Sequence, residues 1–209
     1  MKLNKLLAGV PCEVIGNADM DITGVAYDSR EVQPGNLFFC IEGYQSDGHA
    51  YAPKAVQAGA VCLVVRHKLD LAVTQVVAED SRKAMSLIAA AFYGRPAEKL
   101  RMIGVTGTSG KTSTTYMIKS MLEATGAKVG LIGTVHTVIG DKVRSSDRTT
   151  PESPDLQKLL AEMVDAGLDT AVMEVSSHSL YLDRVYGIPF AGGVFTNLFA
   201  GSPGFPRGL

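Results

Sequence analysis

The stretch GVTGTSGKTST, residues 104–114, resembles a phosphate-binding loop with altered spacing. The common pattern is Gly, four free positions, then Gly-Lys-Ser/Thr. Counted back from Gly110, Lys111 and Thr112, its first glycine would fall on Val105, and the glycines present are Gly104, Gly107 and Gly110. The flanks decide how the loop is read. RMIGVTG enters as a strand-like apolar run, and KTSTTYMIKSMLEATG leaves with helical periodicity. A strand–turn–helix brings several backbone N–H groups and the positive end of a helix dipole to one point. Glycine lets that backbone curl around a phosphate without a Cβ clash. Lys111 adds a mobile charge for the β- and γ-phosphates, and the Thr112 hydroxyl can ligate Mg²⁺. The alternative is a glycine-rich turn that carries an exposed lysine.

Working outward, apolar runs alternate with helical patterns along the whole chain. DITGVAY, NLFFCI, VCLVV and TQVVAE read as strands, and HAYAPKAVQAGA and SRKAMSLIAAAFYG as helices. The N-terminal MKLNKLLAGVPCEV reads as a short amphipathic helix stopped by Gly9 and Pro11, too short in its apolar run for a signal peptide. A boundary is expected near YGRPAEKLR, dividing a domain over 1–95 from a second over 96–209. Beyond it the spacing predicts a strand over 101–106, a helix from about 111 to 125, a strand KVGLIGT and a hairpin VHTVIGDKV. A helix over 154–166 and strands DTAVMEV and GGVFTN complete the second half. The fold class is α/β, with short connections and a mainly parallel sheet in each half.

The chain has 209 residues, 46% of them hydrophobic and 20% charged, with a formal net charge of −1. That balance offers no electrostatic case for nucleic acid, and no stretch approaches the ~20 apolar residues of a membrane span. Cys12, Cys40 and Cys62 lie far apart without a CxxC pair, so each reads as a small buried hydrophobe in a reducing compartment. Met117 and Met121, at helical spacing, read as core or helix-packing residues. A cytoplasmic monomer is expected.

Four ordered segments narrow the function. TGTSGKTST resembles the ATP loop of the Mur ligases, the enzymes that build the peptidoglycan stem peptide, although folylpolyglutamate synthetases share such a loop. YDSR at 27–30, with GNLFFCIEGYQSDGHAY after it, is similar to the family's N-terminal uridine-nucleotide domain. RTTPES at 148–153 and MEVSSHSLYLDR at 173–184 resemble the subgroup that adds the third amino acid. The resemblance implies an N-terminal domain that binds a UDP-muramoyl dipeptide, followed by part of an ATPase domain. It implies ATP contacts from Gly107, Thr108, Ser109, Gly110, Lys111, Thr112 and Ser113, with Lys111 and Glu174 catalytic and Mg²⁺ held by Thr112 and Glu174. The muramoyl substrate falls to Ser29, Asp47, Gly48, His49, Thr149, Thr150, Ser176 and Arg184. Independently of any family, a carboxylate closing an apolar strand, as Glu174 does, needs a cationic partner. His49 as a capping residue, Ser29 as a turn residue and His178 as an ordinary loop histidine stay open. Arg148, where many relatives carry Asn, is unassigned. The implied reaction is phosphorylation of the D-glutamate γ-carboxylate by ATP, followed by attack of a diamino acid's amine on the acyl phosphate. A non-catalytic nucleotide-binding fragment is the remaining alternative.

The resemblance ends after VFTNL, and the family's third, amino-acid-binding domain is not matched, so an inactive truncated form is expected. FAGSPGFPRGL, residues 199–209, stands where the family continues with Gln-Asp-His-Leu-Asp-Phe-His-Gly. If Ala200 onward is encoded GCA GGA TCA CCT GGA TTT CCA CGG, dropping the first base yields that family motif in full. A single-base insertion in a T run near codon 199 is therefore expected. Reading the coding DNA tests it: codons outside this series exclude the shifted frame.

Overall fold

The computed structural model describes residues 1–43 and 47–199. The tail from 200 to 209, where the shifted frame is expected, and Ser46 of the SDGHA turn lie outside the described residues. The chain divides into two compact units, Met1–Phe92 and Tyr93–Leu209.

In the first unit, α1 (Leu3–Leu6) precedes β1 (Glu13–Ile15), β2 (Gly24–Ala26) and β3 (Asn36–Phe39). A 3-10 turn over Gly48–Tyr51 leads into α2 (Ala52–Gln57), β4 (Cys62–Val65), β5 (Thr74–Val77) and α3 (Ser81–Phe92). The sheet order is β1-β5-β4-β3-β2, parallel throughout except for the antiparallel edge strand β1. Strands β3 and β4 are buried along their whole length, and the period of two sorts their side chains. Leu37, Phe39, Cys62 and Val64 join Leu3, Leu6, Met85 and Ile88 in one cluster. Phe38, Leu63 and Val65 join Ala52 and Ala55 of α2 in a second cluster. A sheet covered on both faces explains why these strands read as continuous apolar runs.

The second unit starts with a 3-10 turn, Pro96–Lys99, followed by β6 (Arg101–Thr106), α4 (Lys111–Ala124) and β7 (Val129–Ile132). The hairpin β8 (His136–Ile139) and β9 (Lys142–Ser145) follows, then α5 (Ser153–Asp165), β10 (Thr170–Glu174), the short α6 (Ser177–Tyr181) and β11 (Phe190–Phe195). The order is β11-β6-β10-β7-β8-β9, with the first four strands mutually parallel and the hairpin antiparallel at one edge. Met102, Ala171 and Met173 face Leu156, Leu160 and Met163 of α5. Val105 and Val172 form a smaller cluster with Ile118 and Leu122 of α4 on the opposite face.

Two expectations from sequence need correction. Met117 and Met121 are 63% and 69% exposed, because α4 presents Ile118 and Leu122 to the sheet and turns the methionines to solvent. Cys12 is only half-buried, whereas Cys40 and Cys62 are fully buried and all three are free thiols. Burial pushes the Cys40 and Cys62 thiols up to about 12. The sequence reading also overlooked β1, whose three residues are too few to show a period.

Leu160 is completely buried between α5 and the sheet. Leu160→Ala is expected to lower the stability of the second unit by about 2–5 kcal/mol, read from the urea midpoint at unchanged slope.

Candidate functional site

Strands β6 and β10 are adjacent and parallel, with Glu174 in register with Val105. Their C-terminal ends therefore lie together, the edge at which open α/β sheets carry their ligands. From β6 the chain passes through Gly107 and Gly110 into α4. Gly107 has φ +134° and Gly110 φ +82°, and both backbones favour glycine. The first turn of α4 carries the N–H groups of Lys111, Thr112 and Ser113, which a helix leaves without internal acceptors. Among the described residues nothing accepts from them, nor from Gly110. The Lys111 Nζ folds back to donate to the carbonyls of Gly107 at 2.8 Å and Thr108 at 3.2 Å. Thr108 and Ser109 differ from their neighbours: their N–H groups are taken by the main-chain oxygen and side-chain Oδ1 of Asn197.

Glu174 is 1% exposed. Its Oε1 accepts from the Thr112 hydroxyl at 3.0 Å and the Thr134 N–H at 2.8 Å, and its Oε2 from the Thr134 hydroxyl at 3.0 Å. Among the described residues no Lys, Arg or His pairs with it, so a buried charge meets only neutral donors. That is the environment a cation would complete. One carboxylate, a threonine hydroxyl and phosphate oxygens form a donor set that suits Mg²⁺. Among the described residues no group of three or more His, Cys, Asp and Glu side chains converges, as a protein-only metal cage would require. Thr134 and Gly133 carry no sequence signal beyond closing the strand KVGLIGT. Gly133 is nonetheless where a Cβ would stand 2.5 Å from the Glu174 Oε1.

The remaining residues of this unit assemble around the same strand end. The Thr150 hydroxyl donates to the Glu174 carbonyl at 2.9 Å and accepts from the Ser176 N–H at 3.1 Å. The Thr149 and Thr134 hydroxyl oxygens lie 3.1 Å apart. The Ser176 side chain caps α6 by accepting from the Ser179 N–H. Asp183, at φ +53°, turns the chain after α6, and the Arg184 guanidinium reaches the Thr150 carbonyl at 3.0 Å and Glu152 at 2.8 Å. Glu152, which the sequence reading passed over, is buried and shared with Arg148 at 2.9 Å, giving that unassigned arginine a partner. His178 is exposed on α6.

In the first unit, Ser29 is buried in the loop after β2. It is flanked by Asp28 and Arg30, joined by a two-pronged ion pair that holds the Asp28 carboxyl at about 2. Asp47, Gly48 and His49 follow the neighbouring strand β3. Asp47 caps the 3-10 turn by accepting from the His49 N–H. The His49 ring is buried and uses both nitrogens internally, Nδ1 with Asp47 at 2.6 Å and Nε2 accepting from the Arg66 N–H at 3.0 Å. It stacks on His67 with ring centroids 4.8 Å apart. Both side-chain nitrogens are thus committed to holding the turn. Gly48 is obligatory here, since a Cβ would stand 2.6 Å from both the N and O of Ile41.

Residues 105–200 match the Mur ligase middle domain, and residues 21–93 match the Mur ligase family, catalytic domain. The chain belongs to the Mur ligase family. It is 57% identical over 202 residues to UDP-N-acetylmuramoyl-L-alanyl-D-glutamate–2,6-diaminopimelate ligase 1 of Clostridium acetobutylicum, covering 95% of this chain and 42% of the relative. It is 48% identical to the corresponding ligase of Clostridium tetani, again over 95% of this chain and 42% of the relative. A solved structure of a UDP-N-acetylmuramoyl-L-alanyl-D-glutamate–2,6-diaminopimelate ligase superposes with a TM-score of 0.80 at 26% identity, covering 93% of this chain and 40% of that one. The chain thus spans about two fifths of the length of the relatives it matches. As in these Mur ligase relatives, the architecture is mixed α/β with mostly parallel sheets. Among the described residues no helix is long and apolar enough to cross a membrane.

In this Mur ligase chain Gly133→Ala drives a methyl group into the Glu174 carboxylate. It is expected to destabilise the second unit by about 1–3 kcal/mol, measured by urea unfolding, and to leave the first unit's transition in place.

Proposed function

We propose that this chain binds ATP and a UDP-muramoyl dipeptide in the ligation of 2,6-diaminopimelate to UDP-N-acetylmuramoyl-L-alanyl-D-glutamate, as a cytoplasmic monomer. The three free thiols suit a reducing compartment, and the relatives' names carry the substrates. The observation that carries the reading is the Thr112–Glu174 contact at the start of α4. There a helix N-terminus, a loop lysine and a cation-seeking carboxylate meet.

The N–H groups of Gly110 to Ser113 would hold the β- and γ-phosphates. Lys111 would exchange its two loop carbonyls for phosphate oxygens, which as charged acceptors bind it more strongly. Thr112 and Glu174 are the residues that would hold Mg²⁺, and that ion supplies charge neutralisation for the transferring phosphoryl group. Thr149, Thr150, Ser176 and Arg184 surround the same strand end and would orient the dipeptide's γ-carboxylate for phosphorylation. Attack of the amine on the acyl carbon would then form the amide, breaking the bond to phosphate and releasing it as inorganic phosphate. In the first unit Ser29 and the Asp47–His49 turn, on loops after adjacent parallel strands, are proposed to meet the uridine diphosphate. With the His49 ring engaged, its part there is to shape the turn.

Titration calorimetry with the 209-residue chain tests both sites. Mg·ATP should bind, and Lys111→Ala should weaken it at least about tenfold through loss of a charge-assisted bond. UDP-N-acetylmuramoyl dipeptide should bind separately, with Ser29→Ala costing about fivefold for one hydrogen bond. ATP binding without any uridine-nucleotide binding favours the folylpolyglutamate-type alternative. A folded chain that takes neither ligand sinks the proposal.

A further inference from the structure

The phosphate loop is held only in part by its own residues, through the Lys111 Nζ bonds to the Gly107 and Thr108 carbonyls. Strand β11 pairs with β6 up to Phe195 opposite Thr106, and the ladder continues with the Thr196 N–H donating to the Thr106 carbonyl at 2.9 Å. Past that point the chain lies along the loop instead of leaving it. The Thr196 hydroxyl donates to the Ser109 carbonyl at 2.7 Å. The Asn197 side chain accepts from the Ser109 N–H at 3.0 Å and donates to the Ser109 carbonyl at 3.2 Å, so its amide matches that residue's main chain at both ends. The Asn197 carbonyl takes the Thr108 N–H at 2.9 Å, and the Phe199 N–H donates to the Thr108 hydroxyl at 3.1 Å. Gly107 lets the two segments touch: a Cβ there would run into the Thr196 hydroxyl and stand 2.8 Å from the Asn197 carbonyl.

Resting on the nucleotide reading above, we propose that Thr196 and Asn197 are positioning residues for ATP. They take the Thr108 N–H and both main-chain groups of Ser109, and so fix the loop in its receptive curl. The physical reason is entropic. A glycine-rich loop samples many conformations, and ordering it at the moment of binding subtracts from affinity. A strap that orders it beforehand removes that cost and leaves the N–H groups of Gly110, Lys111, Thr112 and Ser113 for the ligand. Asn suits the task because only a side-chain amide offers a donor and an acceptor on neighbouring atoms, pairing with a backbone N–H and C=O together. Thr196 and Asn197 touch loop main chain and no reacting atom, so they act through the loop.

The test combines amide hydrogen exchange with Mg·ATP titration on the 209-residue chain. Thr196→Val is isosteric and removes only the hydroxyl, Thr196→Ser keeps it, and Asn197→Ala removes the amide. In the free protein, Thr196→Val and Asn197→Ala should speed exchange at Ser109 about tenfold while β3 and β10 stay protected. Both should weaken Mg·ATP about tenfold, with Thr196→Ser within about twofold of the parent chain. Should Asn197→Ala unfold, seen as exchange rising across β10 as well, the Thr196 pair decides alone. Unchanged exchange at the loop overturns the proposal, as does faster exchange with undiminished ATP affinity. A parent chain that takes no ATP overturns the nucleotide reading instead, and the positioning role falls with it.

Discussion

A carboxylate buried at the end of a parallel strand must be met by donors, and in the second unit that requirement organises the whole strand edge. Glu174 draws Thr112 from the start of α4, which packs on the sheet, and Thr134 from just after β7, the strand beside β10. Each donor fixes its element's approach, and Gly133 exists so that β7 can come close enough. Backbone satisfaction extends the pattern outward. The Glu174 carbonyl takes the Thr150 hydroxyl, the Thr150 carbonyl takes Arg184, and Arg184 is neutralised by Glu152. Residues from Thr112 to Arg184 are thereby drawn to one edge of one sheet.

Neutral donors alone are an incomplete answer to a buried charge, and that incompleteness is the functional signal. Hydroxyl and amide donors offset part of the desolvation cost, whereas structural buried carboxylates are ordinarily paired with a cation. Glu152 shows the structural solution within the same unit, since two arginines share it. Glu174 shows the other, a charge held ready beside a helix N-terminus and a loop lysine. The contrast between the two glutamates sets a residue that holds the fold beside one proposed to meet a cation. It does so without reference to any relative.

The first unit meets a similar demand by different means. Its turn after β3 is fixed by the His49 ring, which accepts from the Arg66 N–H and pairs with Asp47. A histidine in a candidate site invites a ligand-binding role, yet both nitrogens here serve the turn. The same lesson holds for the phosphate loop, where Thr108 and Ser109 look like phosphate donors in sequence and are tied to Asn197 in space. Residues within a motif divide the labour between contacting a ligand and holding the shape that contacts it.

The sequence by itself determined the α/β class, most of the element order and the place of the phosphate loop. These depend on local period and on glycine, both visible within a dozen residues. It also marked Glu174, because a carboxylate ending the run TAVME is an anomaly wherever the strand lies. It could not show β1, whose three residues carry no period, or which face of α4 is inward, because Met117 and Met121 follow helical spacing on the solvent side. The partners of Glu174 and Ser109 were beyond its reach for one physical reason. The hydrogen bonds from Thr134 to Glu174 and from Ser109 to Asn197 span 40 and 88 positions, and such pairings exist only once parallel strands bring distant C-terminal ends to a common edge.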